Sequence, residues 1–120
     1  MSIRTERVAS LIKEEIADLL IREFGDGSLG LTTVTEVKMT PDLRIAKVYF
    51  SVFGAQAVRA ATMARLEEEK PHIRGAVGAH LRLKFTPTLQ FFLDETLDRV
   101  DRINHLIKKI HGDEGDGSGA

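Results

Sequence analysis

The sequence predicts an α+β domain in which helices cover one face of a three-stranded sheet. Apolar residues recur at helical spacing in separate stretches, and three other stretches read as strands bounded by turn residues. The predicted order is helix, strand, strand, helix, helix, strand, and then a further helix. Because strands and helices are segregated in this order, the pattern favours an α+β architecture.

The first predicted helix runs from about Thr5 to Phe24. Its apolar residues recur at spacings of three and four and form a single stripe: Val8, Leu11, Ile12, Ile16, Leu19 and Leu20. Gly25, Gly27 and Gly30 follow, and glycine commonly ends a helix.

A hairpin of two strands is predicted next. The β-branched stretch from about Thr33 to Met39 reads as the first strand, and Thr40 to Asp42 reads as a turn. In the second strand, "RIAKVYFSVF", one face carries Ala46, Val48, Phe50 and Val52. Because the connecting turn is short, the two strands are expected to pair antiparallel.

Two helices are predicted after Gly54. The alanine-rich stretch from about Ala55 to Glu69 favours a helix. Pro71 is unfavourable inside a helix but favourable in a first turn. The sequence therefore predicts a junction at Lys70-Pro71 and a second helix from there to about Leu83.

The remaining elements are a strand, a helix and a tail. A third strand is expected from Leu89 to Leu93, entered through Pro87, and a C-terminal helix from Asp94 or Glu95 to Ile110. Residues 1–111 would form one domain. The segment 112–120 is rich in glycine and acidic residues and is expected to be disordered.

Charge and composition narrow the function classes. The chain of 120 residues has no cysteine, no apolar run of membrane-spanning length and no signal-peptide pattern, so a soluble cytoplasmic protein is expected. The net charge of −1 includes three acidic residues of the tail. Between Lys70 and Phe85 there are basic residues and no acidic ones, which would suit a phosphate-rich partner. No pattern of catalytic residues, nucleotide loop or metal ligands appears, so neither an enzyme nor a cofactor is expected.

The segment "GAVG", Gly75 to Gly78, matches the G-x-x-G loop with which K-homology domains clamp a nucleic-acid backbone. The predicted junction lies before Gly75, so the motif falls inside a helix, with Ile73, Val77 and Leu81 on its apolar side. Close packing of the two glycines against another element is one interpretation. Close approach of an RNA backbone, or tolerated destabilisation without a role, are the others.

Several segments resemble the ribosome-binding factor A family, over about Arg4 to Ile110. They are "RTERVASLIKEEIADLL", "VTEVKMTPDLRIAKVYFSVFG" with its Asp42-Leu43 turn, and "IRGAVGAHLRLKFTPTLQFFLDETLDRVDRINHLI". The resemblance implies a type II K-homology-like αββααβ fold in which a helix-kink-helix replaces the G-x-x-G loop. Where the family has Ala-x-Gly at the kink, this chain has Glu69-Lys70-Pro71.

The resemblance also implies a function. Family members are bacterial factors that bind the immature small (30S) subunit and its 16S ribosomal RNA, support late maturation and 5′-end processing, and matter most in the cold. A maturation GTPase is implied as a release partner, no membrane is involved, and a monomer is expected. Two rivals stay open: an adaptor that docks another protein through exposed sheet aromatics, and a generic K-homology module for single-stranded RNA.

Binding would need cations at phosphate spacing. The expected RNA-binding residues are Arg4, Arg7, Lys70, Arg74, Gly75, Gly78, His80, Arg82 and Lys84, with His72 as a further donor. Arg4 and Arg7 lie at a helix start, where a positive charge is unfavourable unless it meets an anion. Arg44 and Lys47 form a weaker set on the hairpin. Tyr49, Phe53 and Phe92 would lie on the outer sheet face, whereas Phe50 and Phe91 are expected in the core.

Overall fold

The computed structural model describes residues 3–25, 27 and 29–96 and confirms the α+β class. Its elements are α1 (Ile3–Phe24), β1 (Thr32–Met39), β2 (Ile45–Val52), α2 (Gln56–Leu81) and β3 (Thr88–Leu93). The predicted C-terminal helix lies outside the described residues beyond its first positions, and the tail lies outside them entirely. At those first positions Asp94 Oδ1 accepts a hydrogen bond of 2.9 Å from the Thr96 amide.

The three strands form one mixed sheet in the order β1-β2-β3. β1 pairs antiparallel with β2, with Val34 opposite Phe50, and this confirms the predicted hairpin. β3 pairs parallel with β2, with Phe91 opposite Val48. A bulge interrupts β1 between Val34 and Glu36. A bulge leaves one residue unpaired, and here Thr35 Oγ1 donates to Asp94 Oδ2 at 2.7 Å at the end of β3.

Both helices lie on one face of the sheet and share one core with it. The fully buried side chains include Ile12 and Ile16 of α1, Phe50 of β2, and Ile73 and Val77 of α2. Phe50 and Phe91 meet edge-to-face, with ring centroids 5.0 Å apart. The predicted alternation of β2 is confirmed, because every second residue of this strand, from Ala46 to Val52, is buried.

The predicted junction at Lys70-Pro71 is wrong, because α2 is one helix from Gln56 to Leu81 with Pro71 inside it. Proline inside a helix costs about 3 kcal/mol, since it lacks an amide hydrogen and its ring crowds the preceding turn. Leu66 and Ile73, which flank Pro71, are fully buried. Burial of such side chains stabilises by about 1.5–3 kcal/mol each, so packing on both sides of Pro71 offsets its cost.

The β1–β2 turn is held by its own side chains. Thr40 Oγ1 donates to Asp42 Oδ1 at 2.6 Å, and Asp42 Oδ1 also accepts from the Arg44 amide at 3.1 Å. The Leu43 amide donates to the Thr40 carbonyl at 2.9 Å. Leu43 then has a positive φ of 60°, which lets the chain enter β2. The turn brings Asp42 and Leu43 to the end of the sheet near which α1 begins.

Candidate nucleic-acid interface

The two glycines of the GAVG segment lie within α2, as expected, but their surroundings differ. A Cβ atom built on Gly78 would lie 2.5 Å from Thr86 Oγ1, so this glycine allows close packing. A Cβ atom on Gly75 would have no neighbour within 4 Å. Gly78 therefore accommodates the connection between α2 and β3, whereas Gly75 leaves open helix surface.

Arg74 holds the same connection. Its Nε donates to the Pro87 carbonyl at 3.1 Å and its Nη2 donates to the Thr86 carbonyl at 2.8 Å. Both carbonyl groups precede β3 and would otherwise need water as a partner. The guanidinium of Arg74 therefore fixes the segment that leads from α2 into β3, and this contact competes with a phosphate for the same donors.

Three other candidates on α2 contact acidic or aromatic side chains of the protein itself. The His80 ring pairs with Glu15 of α1, and His72 Nε2 lies 2.7 Å from Glu23 Oε1. Lys70 Nζ lies 2.6 Å from Glu67 Oε2 and 5.1 Å from the centroid of the Phe91 ring. These contacts occupy side chains that were expected to be available to RNA.

The two histidine pairs fix how the helices run. His72 meets Glu23 and His80 meets Glu15, so positions that rise along α2 meet positions that fall along α1. The helices are therefore antiparallel over this stretch. The last turn of α2 therefore lies beside the middle of α1, and the segment after α2 reaches the start of α1.

A cavity of about 390 Å³ lies where the start of α1 and the segment after α2 meet the β1–β2 turn. It is lined by Arg4 and Val8 of α1, Asp42 and Leu43 of the turn, and Leu83, Lys84 and Phe85 after α2, with Thr5 and Pro41 completing it. The structure thus brings together Arg4 and Lys84, which lie eighty positions apart in the sequence.

Four exposed cations lie in the first turns of α1 or directly after α2: Arg4, Arg7, Arg82 and Lys84, here called the basic end. Within the described part of the chain, none of the four has a hydrogen-bonding or ion-pair partner. Arg82 caps α2 in the left-handed conformation, with φ 50° and ψ 42°. Arg7 lies three residues beyond Arg4 and hence on the same side of α1.

Phe85 also lies at this surface, although the sequence did not predict it as a site residue. Its exposed fraction is 76%, and Lys84 Nζ lies 5.7 Å from the centroid of its ring. A large apolar residue between a helix end and a proline gives no periodic signal. Its place directly after a lysine in a loop is the one feature of the sequence that could have marked it.

The β1–β2 turn adds one negative charge to the cavity. Asp42 is exposed, and the hydrogen bonds from the Thr40 hydroxyl and the Arg44 amide lower the pKa of its carboxyl below the usual value. Arg44 Nε lies 3.9 Å from Asp42 Oδ2, so this member of the weaker predicted set is paired. Lys47 lies opposite Lys38 on the outer face of the sheet, away from the cavity.

The outer face of the sheet carries the predicted aromatic residues. Tyr49 and Phe92 stack on each other with centroids 5.3 Å apart, and Lys38 Nζ lies 5.5 Å from the Tyr49 centroid. Phe53 follows the last residue of β2 and is 76% exposed. Two of the three aromatic side chains therefore stack on each other, whereas Phe53 is not part of this stack.

The described residues contain neither a metal-binding cluster nor a membrane-spanning helix. No three His, Cys, Asp or Glu side chains among them are grouped as metal ligands, and no helix among them is long and apolar enough to cross a bilayer.

Comparison with known proteins identifies relatives over nearly the whole chain. The family model described as ribosome-binding factor A matches residues 4–107. The ribosome-binding factor A of Halothermothrix orenii is 39% identical over 111 residues, covering 92% of this chain and 91% of that protein. The protein of the same name from Chlorobium phaeobacteroides is 42% identical over 116 residues, covering 95% and 99%.

Solved structures show the same fold. The crystal structure of ribosome-binding factor A from Thermus thermophilus aligns with a TM-score of 0.64 at 21% identity, over 74% of this chain and 94% of that one. A homology model of the Thermus thermophilus protein, fitted into the cryo-EM map of a 30S–RbfA complex, aligns with a TM-score of 0.61 at 22% identity, over 72% and 90%. With the family model and relatives near 40% identity over nine-tenths of its length, this chain belongs to the ribosome-binding factor A family.

Proposed function

We propose that this protein is an assembly factor that binds the immature small ribosomal subunit through 16S ribosomal RNA. The observation that carries the proposal is the basic end, whose four exposed cations lack partners in the described chain and of which two, Arg4 and Lys84, line the cavity at Phe85. The family membership supports the same partner, because the Thermus thermophilus relative was fitted into the map of a 30S complex. In this proposal the protein acts by binding and holding RNA, in the cytoplasm and as a monomer.

The cellular role that we propose is late maturation of the subunit, including processing of the 5′ end of 16S ribosomal RNA and support of growth in the cold. The protein would hold a local RNA conformation, occupy a position that the mature subunit needs, and then leave with the help of a maturation GTPase. Expression in a bacterial strain that lacks its own factor tests this role. Restored growth in the cold and less 5′-extended precursor RNA are expected, and failure of both would contradict it.

The RNA-binding part of the proposal is tested by salt dependence. Each neutralised phosphate makes log K fall by about 0.7–0.9 per unit of log salt concentration. Four contacts from the basic end therefore predict that raising salt from about 50 to about 200 mM weakens binding by about 50- to 150-fold. Co-sedimentation with immature small subunits measures this change.

Charge reversal then locates the interface. The combined change Arg4→Glu, Arg82→Glu and Lys84→Glu should abolish most of the binding and most of its salt dependence. Lys13→Glu is the matched control, because Lys13 is an exposed cation of α1 that does not line the cavity at Phe85. Arg74→Glu is unsuitable, since a carboxylate there would face the Thr86 and Pro87 carbonyls and disturb the fold.

The adaptor alternative has one observation in its favour. A second cavity of about 540 Å³ lies between α1 and β1, and Ile21 and Leu31, which line it, are 73% and 72% exposed. Docking of another protein in this apolar cavity would be nearly insensitive to salt. Subunit binding that survives both high salt and the charge reversals would therefore favour the adaptor.

A further inference from the structure

We propose that Phe85 is a stacking platform for an unpaired RNA base whose neighbouring phosphate is bound by Arg4 and Lys84. This inference deepens the proposed function and rests on it, because it names what the cavity at the basic end would hold. The site would then bind one flipped or single-stranded nucleotide of the folded RNA, in addition to contacting phosphates.

The first support is the exposure of Phe85 in a polar setting. Its ring is 76% exposed, and the cation Lys84 lies beside it. An aromatic ring beside basic residues is the combination that single-stranded nucleic-acid sites use, because every base offers a flat face and every nucleotide a phosphate. Lys84, at 5.7 Å from the ring centroid, lies close enough to serve both groups.

The second support is the position of Phe85 between the end of α2 and a segment that hydrogen bonds from Arg74 hold in place. On its C-terminal side, Arg74 donates to the carbonyls of Thr86 and Pro87, and Pro87 is fully buried. On its N-terminal side, Arg82 ends α2 in a fixed left-handed conformation. The exposed ring is thus presented by a short, held segment, which reduces the entropy that ligand binding would cost.

The third support is the distribution of polarity around the cavity. Arg4 and Lys84 supply positive charge, whereas Val8, Leu43 and Leu83 supply apolar walls. The ionised Asp42 on the turn would repel a phosphate near it. A nucleotide therefore fits in one orientation, with its phosphate toward the two cations and its base against Phe85 and the apolar walls.

Substitutions of Phe85 test stacking directly, with immature small subunits as the ligand. Phe85→Ala is expected to weaken binding by about 5- to 150-fold, the usual effect of removing one stacked aromatic. Phe85→Leu should lose nearly as much, because it keeps apolar surface without a ring, and Phe85→Tyr should retain wild-type affinity. Phe53→Ala is the matched control, because Phe53 is also 76% exposed but does not line this cavity.

Base-specific chemical probing of the bound subunit supplies the second measurement. One unpaired base should lose reactivity when the wild-type protein or Phe85→Tyr binds, and should regain it with Phe85→Leu at saturating concentration. Full affinity in Phe85→Ala, or full affinity in Phe85→Leu with no base whose reactivity depends on the ring, would overturn the inference. Those outcomes leave the proposed function standing, whereas a wild-type protein that does not bind subunits overturns both.

Discussion

The basic residues between Lys70 and Lys84 fall into two groups, those that contact other groups of the protein and those that are exposed without such a partner in the described chain. Arg74 donates to two carbonyls, and His80 and Lys70 meet Glu15 and Glu67. Arg82 has no such partner in the described chain. Residues that looked equivalent in the sequence therefore differ in what they can offer a ligand, and the difference is set by what lies across from each of them.

Arg82→Gly should separate stability from binding. A non-glycine residue in the left-handed region costs about 1–2 kcal/mol, whereas glycine adopts it freely. We therefore expect Arg82→Gly to raise the free energy of unfolding by up to about 1 kcal/mol, the remainder being lost to the greater entropy of the unfolded chain. The same change should reduce the slope of subunit affinity against salt by about 1. Urea unfolding and co-sedimentation measure the two effects; a stabilised variant with an unchanged salt slope would rule out a phosphate contact at Arg82.

Asp42→Asn tests whether the ionised carboxylate of the β1–β2 turn stabilises the fold. The Asp42 carboxyl has its pKa lowered chiefly by the Thr40 hydroxyl and next by the Arg44 amide. A carboxyl with a lowered folded pKa stabilises the fold above its unfolded pKa, about 3.9, and loses that contribution as the pH falls through the folded value. The variant should thus be less stable than the wild type at about pH 7, and the difference should shrink below about pH 4. Urea midpoints at both pH values measure this, and a gap that widens in acid would contradict it.

Among the elements, α2 is a single helix where the sequence predicts two. Its central turns are anchored by Leu66 and Ile73, and its last turns carry the face that holds the connection to β3. The sequence predicts a boundary at Pro71 because proline is locally unfavourable inside a helix. Burial on both sides overrides that local preference, which periodicity alone could not show.

Pro71→Ala tests whether α2 is continuous. Alanine restores an amide that can donate along the helix, and it removes the clash of the ring with the preceding turn. We expect the free energy of unfolding to rise by up to about 3 kcal/mol. If Pro71 instead began a separate helix, its fixed φ would be favourable there and alanine would lower stability. Denaturant unfolding, with an unchanged helical signal by circular dichroism, distinguishes these results.

The two glycines of α2 should respond in opposite ways to alanine. Gly75→Ala meets open space and should stabilise α2 by about 1 kcal/mol. Gly78→Ala would bring a Cβ atom to 2.5 Å from Thr86 Oγ1. It should therefore be less stable than Gly75→Ala by about 1–3 kcal/mol. Adding Thr86→Ala to Gly78→Ala should restore much of the loss; equal stability of the two single variants would show that Gly78 has no packing role.

For the whole molecule, more of the fold than of the candidate site can be predicted from the sequence. Alternation in β2 and the apolar stripe of α1 follow from local periodicity, so the hairpin, the core face and the aromatic pair Phe50 and Phe91 could be placed. The site depends on long-range contacts. No local pattern places Arg4 beside Lys84, or shows that the Arg74 guanidinium donates to the protein itself.

A net charge of −1 is compatible with the proposed binding of RNA. Several acidic side chains pair with basic groups along the helices, such as Glu15 with His80 and Glu23 with His72. Four exposed cations without such partners in the described chain lie at the start of α1 and just after α2: Arg4, Arg7, Arg82 and Lys84. Lys13 and Lys47 also lack such partners there, but they lie elsewhere. Local charge rather than net charge therefore determines the attraction to phosphate.

Crosslinking of the intact protein to immature small subunits, with both the RNA nucleotide and the protein residue identified, shows which surface of the protein binds ribosomal RNA. We expect crosslinks from ribosomal RNA to the basic end and to Phe85, and few to Lys38 or Lys47 on the outer sheet face. Crosslinks concentrated on that outer face, or confined to ribosomal proteins at the apolar cavity near Ile21 and Leu31, would contradict this expectation.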